Sequence, residues 1–189
     1  MNPSSALRFV TPVDTDVDRR TARLRELGLL REQPSPEFDA FATALARNLD
    51  APIAGVNIIG PERQYFAGFH PAPDDPEDDS SRVMSCDSGF CIYVQARKRV
   101  LALDEVMDYH IFAGNPVVDA IGARSYLGAP LMDGTVVLGT VAVIDTKPRD
   151  WGEEEVAFIK AQAAELMEKI ERRAARGRRP ATSRAATET

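Results

Sequence analysis

"YLGAPLMDGTVVLGTVAVID", residues 126–145, holds the strongest structural signals in the chain. Asp133-Gly134 is a strong turn dipeptide, and apolar runs rich in valine lie around it. This pattern predicts two antiparallel strands joined by a tight turn. Gly139, Thr140 and Ala142 are small for strand residues, which indicates that another part of the molecule packs closely against the second strand.

Two amphipathic helices are predicted ahead of the first strands. Residues 16–30 have Asp16 or Asp18 as a candidate cap and Gly28 near their end. In residues 34–50, apolar side chains recur at spacings of three and four, so they share one helical face. These side chains are Phe38, Phe41, Leu45 and Leu49.

Short elements are predicted between these helices and residue 126. Residues 51–60 and 63–69 are typical of a second hairpin with a turn at Gly60-Pro61-Glu62. The segment 70–85 is rich in proline and acidic residues, which predicts a solvated loop. A short helix is expected in residues 87–98, followed by a brief strand in residues 99–106.

A long helix is predicted in residues 151–180, where apolar residues follow the three-four spacing of a coiled-coil seam. The seam consists of Val156, Ile159, Ala163, Leu166 and Ile170. We expect it to form a homodimer interface beside the first helix; the alternative is that it covers the sheet of a monomer. The predicted organisation is a flexible segment (1–16), one folded domain (17–173) and a disordered basic tail (174–189).

Composition narrows the class of protein. The chain has 189 residues, of which 44% are hydrophobic and 28% charged, as in a globular domain. No run approaches the roughly 18 apolar residues of a membrane span. The net charge of −6 disfavours a nucleic-acid surface. Two cysteines and the lack of a secretory signal lead us to expect a cytoplasmic protein.

Four phrases, read in order, resemble a GAF domain, the small sensor module of bacterial and eukaryotic signalling proteins. They are "APIAGVNIIGPERQYFAGF", "GFCIYVQARKRVLALDEV", "NPVVDAIGARSYLGAPL" and "LGTVAVIDTKPRDWGEEEVAFIKAQAAELMEKI". The resemblance extends from about residue 20 to residue 172. It implies an α+β fold, similar to profilin and PAS domains. A central antiparallel sheet would carry the terminal helices on one face and a ligand pocket on the other.

Cofactor-binding subclasses of this family need residues that can be checked in the chain. The N-K-F-D-E constellation of the cyclic-nucleotide binders is missing, and neither cysteine precedes a histidine as in bilin-binding members. A haem ligand would have to be His70 or His110. We therefore expect neither haem nor bilin, and the identity of any cofactor stays open.

The free methionine-(R)-sulfoxide reductases of the family use up to three cysteines around the pocket. Cys91 lies where those enzymes have one of them. The segment that should supply the attacking thiolate has the sequence from His110 to Gly114, without a cysteine. We therefore expect a binding protein rather than an enzyme. Metal ligands are not expected either, since two thiols and two distant histidines do not suit a zinc site.

The resemblance implies a sensor that binds a small molecule and signals to a partner protein through its terminal helices. The candidate ligand-binding residues are Tyr65, Phe66, Cys86, Cys91, Asp104, His110, Phe112, Arg124 and Tyr126. Neighbouring strand residues alternate sides, so the sequence does not decide between Tyr65 and Phe66. Two alternatives remain open: a thiol redox switch or reductase using Cys86 and Cys91, and an interaction module without a ligand.

Overall fold

The computed structural model describes residues 11–72 and 79–177. The six helices of these residues are α1 (Val17–Glu26), α2 (Pro36–Asn48), α3 (Cys91–Arg97), α4 (His110–Ala113), α5 (Pro116–Ile121) and α6 (Glu153–Gly177). The six strands are β1 (Ile53–Ile59), β2 (Arg63–His70), β3 (Val83–Ser85), β4 (Leu101–Leu103), β5 (Ser125–Asp133) and β6 (Val136–Asp145). Two 3-10 turns, Asp79–Arg82 and Val106–Asp108, precede β3 and α4.

The strands form one antiparallel sheet in the order β3-β2-β1-β6-β5-β4. The hairpin predicted from Asp133-Gly134 is β5–β6, which closes with Asp133 opposite Val136. Gly139 lies where β1 approaches β6, and a Cβ atom there would be 2.0 Å from the carbonyl oxygen of Asn57. The predicted fold class, α+β with a central antiparallel sheet, is confirmed.

One face of the sheet is covered by α2 and α6. We call the hydrophobic core between this face and the two helices the helix-side core. α2 packs on β1 and β2, whereas α6 packs on β5 and β6. Phe38 and Leu45 of α2 are buried there, as the three-four spacing predicted. α1 lies against β6, and its Arg23 pairs with Asp133 at the end of the β5–β6 hairpin.

The seam of α6 is used inside the monomer. Ile159, Ala163, Leu166 and Ile170 are all buried in the helix-side core. Our expectation that this stripe is a free dimer seam is therefore wrong, and the alternative that it covers the sheet is what the structure shows. A single apolar stripe cannot pack in two directions, and the opposite face of α6 is rich in charged residues such as Lys160, Glu165 and Glu168.

Three boundaries differ from the predicted ones. α6 (Glu153–Gly177) lies within the helix predicted in residues 151–180, but it passes the predicted domain limit at residue 173. Part of the predicted loop 70–85 is regular, because residues 83–85 pair with β2; residues 73–78 lie outside the described residues. Asp14 and Asp16, in the segment predicted to be flexible, bind side chains of the folded domain. Residues 1–10 and 178–189 also lie outside the described part of the chain.

The other face of the sheet is covered by residues 79–98 and 106–124, which we call the roof; this definition includes β3, the strand at the edge of the sheet. A second hydrophobic cluster lies beneath it, formed mainly by α3, the Val106–Asp108 turn, α4, α5 and the facing side chains of β4 to β6. The roof is built from short helices and turns, in contrast to the long helices of the opposite face. This face contains the candidate site.

Candidate functional site

A cavity of about 130 Å³ lies between the sheet and the roof. Its floor is formed by β1, β2, β5 and β6, and its cover by the 3-10 turn before β3, β3, the start of α3 and α5. The lining residues are Ile53, Ala54, Gly55, Phe66, Phe69, Ser81, Met84, Gly89, Phe90, Cys91, Val117, Ala120, Ile121, Tyr126, Ala142 and Ile144. Exposed Ser81 and Ile121 mark its outer end.

Three of the sequence-predicted candidates line this cavity: Phe66, Cys91 and Tyr126. Phe112 lies behind them, where its ring meets the rings of Phe90 and Tyr93 edge to face. It therefore supports the cavity wall from the second layer. The structure settles the choice between neighbours on β2, since Phe66 faces the roof and Tyr65 faces the helices.

Two further candidates lie away from the cavity. Tyr65 is buried in the helix-side core, because alternation along β2 places it opposite Phe66. The Sγ atom of Cys86 lies 3.8 Å from the carbonyl oxygen of Gly60, at the turn between β1 and β2. Both cysteines are free thiols. Burial raises the pKa of the Cys86 thiol, which disfavours the thiolate.

The candidates Asp104, Arg124 and His110 do not line the cavity. The carboxylate of Asp104 accepts a hydrogen bond of 3.1 Å from the backbone N–H of Trp151 and so fixes the start of α6. Arg124 forms an ion pair with Glu105 that is partly exposed to solvent. His110 is exposed at the first residue of α4. These three residues were predicted as ligand contacts, but the structure brings none of them to the cavity.

Tyr126 and Cys91 are the buried lining residues that carry a polar side-chain atom. The Cys91 Sγ atom lies 3.5 Å from the Tyr126 hydroxyl oxygen, and both residues are buried. The hydroxyl group fits because residue 128 is glycine: a Cβ atom there would lie 2.1 Å from it. Burial raises the pKa of Tyr126 well above its ordinary value, so this hydroxyl is neutral.

Sequence reasoning missed Asn115, which holds two parts of the roof together. Its Nδ2 donates a 2.8 Å hydrogen bond to the carbonyl oxygen of Gly89, and its Oδ1 accepts from the N–H groups of Gly89 and Val117. The same side chain thus caps α5 and fastens it to the loop before α3. Asparagine before proline is a signal for a helix cap, but the bond to Gly89 follows only from the fold.

Sequence reasoning also missed the apolar residues of the cavity floor, although the alternation of side chains along the strands could have indicated them. Gly55, Ala142 and Ile144 all face the cavity, at alternate positions of β1 and β6. Period-two reading of the β-strands would have proposed them once one cavity-facing residue was known.

Larger clefts exist on the surface but are less suited to hold a small molecule. One of about 640 Å³ lies between the α1–α2 connection and the end of α6, and one of about 710 Å³ lies beside α6. Charged side chains such as Arg25, Arg173 and Lys160 line them, and they are open to solvent. A ligand is desolvated far more completely in the enclosed cavity beneath the roof.

In the described part of the chain, residues 11–72 and 79–177, no three or more His, Cys, Asp or Glu side chains converge in a way that suits a metal ion. None of its helices combines the length and the apolar character needed to traverse a bilayer.

The chain is similar in sequence to a cyclic di-GMP phosphodiesterase, PA2567, of Pseudomonas aeruginosa. The two are 30% identical over 162 residues, which cover 84% of this chain and 26% of that protein. This chain therefore spans about a quarter of the curated relative.

Solved structures show the same fold at low sequence identity. The GAF domains of the phosphoenolpyruvate-protein phosphotransferases of Coxiella burnetii and Acinetobacter match with TM-scores of 0.63 and 0.61 at 15% and 17% identity. They cover 86% and 87% of this chain and 96% and 98% of their own chains. Free methionine-R-sulfoxide reductase of Neisseria meningitidis, solved with its substrate, matches with a TM-score of 0.58 at 11% identity, covering 85% of this chain and 89% of its own.

The family model of the GAF domain matches residues 34–170, from the connection before α2 to the buried end of α6. This range contains the whole sheet and the roof. The chain belongs to the GAF domain family.

Proposed function

We propose that this chain is a sensor that binds a small molecule in the cavity beneath the roof and relays binding to a partner protein through its terminal helices. The observation that carries the proposal is the position of α3. Its first residue, Cys91, lines the cavity, and its C-terminal end is bonded to the segment that precedes α1.

Two contacts join the end of α3 to the start of α1. Lys98, which follows α3, donates hydrogen bonds to the carboxylate of Asp16 at 2.6 Å and to the carbonyl oxygen of Thr135 at 2.8 Å. Gln95 hydrogen-bonds the carboxylate of Asp14. A ligand that displaces Cys91 would therefore move groups that hold the N-terminal end of α1, because a short helix moves as one body.

A third contact links the roof to α2. Arg82 lies in the 3-10 turn whose Ser81 lines the cavity, and its guanidinium group donates to both carboxylate oxygens of Asp39 at 3.0 and 3.1 Å. It also donates to the carbonyl oxygen of Phe66, another cavity residue. Ligand binding would thus bias two helices of the opposite face, which is a shift between two packed states.

The proposal includes a binding role without catalysis. A nucleophilic thiolate requires a low pKa, whereas burial raises the pKa of Cys86. Cys91 contacts the neutral hydroxyl of Tyr126. A dimer through the terminal helices stays part of the proposal, but it would have to use the charged outer face of α6 because the apolar seam is occupied.

Native mass spectrometry after incubation with a small-molecule cell extract tests binding. We expect a retained extra mass. Hydrogen exchange of the same sample should then slow in α3 and in residues 14–26. Lys98→Met should keep the extra mass and lose the change in residues 14–26, since it removes the bond to Asp16.

Lys169→Met is the matched control, because its partner Glu165 lies on the exposed face of α6. Bound ligand without any change at the terminal helices would contradict the relay. The absence of both an extra mass and a shift in the unfolding temperature would contradict the sensor itself and favour the interaction module without a ligand.

A further inference from the structure

The lining of the cavity restricts what can bind there. None of the sixteen lining residues, all of them in the described part of the chain, is an Asp, Glu, Lys, Arg or His. Thirteen are apolar or glycine, and side-chain polar atoms come only from Ser81, Cys91 and Tyr126. Ser81 is exposed at the outer end. The enclosed interior therefore offers one hydroxyl group and one thiol group.

Three charged groups close in sequence to the lining are engaged elsewhere, and Asp119, next to Ala120, is exposed at the surface. Arg82 follows Ser81, but its guanidinium group is held by Asp39 and by the carbonyl oxygen of Phe66. Asp87 precedes the loop to α3 and accepts hydrogen bonds from Ser85 and Ser88 at the surface. Arg124 is paired with Glu105. Among the described residues that line the cavity, a charged ligand would find no counter-ion.

An ion transferred into an apolar cavity without a counter-ion loses its hydration and regains little of it. A neutral polar group loses much less, and a hydroxyl group can recover its hydrogen bonds from Tyr126. The Tyr126 hydroxyl can donate one hydrogen bond and accept two, and its contact with Cys91 uses only part of this capacity.

The volume of the cavity limits the size of the ligand. Cavities of about 150 Å³ with aliphatic and aromatic walls stay dry and bind benzene. The cavity of about 130 Å³ is of this order. Three of its walls are the rings of Phe66, Phe90 and Tyr126, and Phe90 and Tyr126 have ring centroids 5.0 Å apart. Aromatic walls of this kind favour a flat apolar body, which can pack against them over its whole surface.

We infer that the ligand is a neutral molecule of about one ring, with an apolar body and at most one hydrogen-bonding group, which meets Tyr126. This inference rests on the proposed function. It excludes ligands with a phosphate, a carboxylate or an ammonium group in the buried part. It predicts that the cavity selects ligands that are neutral and whose shape fits it.

Four probes with one ring each test this inference by isothermal titration calorimetry on the full chain. Phenol and toluene are neutral, benzoate is an anion and benzylammonium is a cation. We expect phenol and toluene to bind and both ions to bind at least about tenfold more weakly. Tyr126→Phe should weaken phenol by about three- to tenfold, the usual range for one hydrogen bond, and leave toluene unchanged.

Two cavity-filling variants locate the binding. Ala142→Leu, on the floor, should abolish binding of both neutral probes; Ala120→Leu, on α5, is the second filling variant in case the first does not fold. Ala164→Leu is the control on the exposed face of α6. It should bind like the unchanged chain.

The outcomes separate the ligand class from the sensor proposal. Benzoate or benzylammonium binding as tightly as phenol, and blocked by Ala142→Leu, would overturn the ligand class and leave the sensor standing. Failure of all four probes would also overturn it, while the cell-extract experiment still judges the sensor. Neutral probes that bind equally well to the filled variants lie outside the cavity and would overturn the assignment of the site.

Discussion

The two faces of the sheet solve the same packing problem in different ways. The helix-side core is covered by α2 and α6, whose apolar stripes fill it with large side chains such as Phe38, Leu45 and Leu166. The roof consists of short helices and turns, held by polar side chains such as Asn115 and Arg82, and leaves a cavity. On the proposed function, one face would supply stability and the other the room and the movable parts that binding needs.

The largest expected effect comes from truncating the helix-side core. Leu166→Ala removes a fully buried side chain of α6, at a place where the rigid helix and sheet cannot close the gap. We expect a loss of about 2–5 kcal/mol in the free energy of unfolding, measured by urea denaturation. Glu168→Ala, on the exposed face of the same helix, should change it by about 0.5 kcal/mol or less.

This measurement compares how much each face of the sheet contributes to the free energy of unfolding. If Leu166→Ala cost no more than a variant of the roof, the two faces would contribute equally to stability and their proposed division of roles would fail.

An intermediate effect is expected from the clip between the two parts of the roof. Asn115→Ala leaves the N–H and C=O groups of Gly89 without their partner in a buried place. The expected cost is about 1–3 kcal/mol, and hydrogen exchange should speed up in residues 85–91 but not in α2 or α6. Asn48→Ala is the control, since Asn48 is exposed and its side chain donates to the carbonyl oxygen of Ala44 on the same helix.

A uniform rise of exchange over both faces in Asn115→Ala would show that the roof unfolds together with the helix-side core. The cavity would then have no independently movable cover.

The smallest effect is expected at Asp14, and it depends on pH. Burial alone would raise the pKa of this carboxyl group, but hydrogen bonds with Arg20, with the backbone of Asp16 and with Gln95 bring it below its ordinary value. A lowered folded-state pKa stabilises the protein above the unfolded-state pKa of about 3.9, and this contribution is lost as the pH falls through the folded-state value.

Asp14→Asn should therefore cost about 1 kcal/mol in the free energy of unfolding above pH 5. The difference between the variant and the unchanged chain should shrink below about pH 4, where Asp14 takes up its proton. Asp18→Asn, one helical turn away on α1, removes a charge without touching Arg20 and serves as the control. A cost that does not change with pH would mean that the charge of Asp14 has no part in fastening α1.

Much of the fold could be predicted because its signals are local. The turn at Asp133-Gly134, the three-four spacing of α2 and α6 and the phrases of the GAF family each lie within a short stretch. The site could be predicted only in part. Phe66, Cys91 and Tyr126 line the cavity, whereas Tyr65, Cys86, Asp104, His110 and Arg124 have other places.

Two of these residues lie elsewhere for a shared physical reason. Charged side chains near a pocket segment were interpreted as ligand contacts, but a charged group in a loop can be satisfied by a nearby backbone group or by an opposite charge. Asp104 accepts a hydrogen bond from the N–H of Trp151, and Arg124 pairs with Glu105. Which polar groups remain available for a ligand depends on contacts between residues far apart in the chain.

The sequence by itself indicated the hairpins and the long terminal helix, because hydrophobic periodicity and turn dipeptides act over a few residues. The family and its central antiparallel sheet were implied by the resemblance of four phrases to GAF domains. The tertiary structure alone decided that the α6 seam faces the protein's own sheet and that Phe66 faces the roof. It alone placed the end of α3 against Asp14 and Asp16. The apolar character of the cavity was likewise decided only by the tertiary structure. It arises because residues from four strands and several roof segments converge on one space, and no local stretch of sequence records such a convergence.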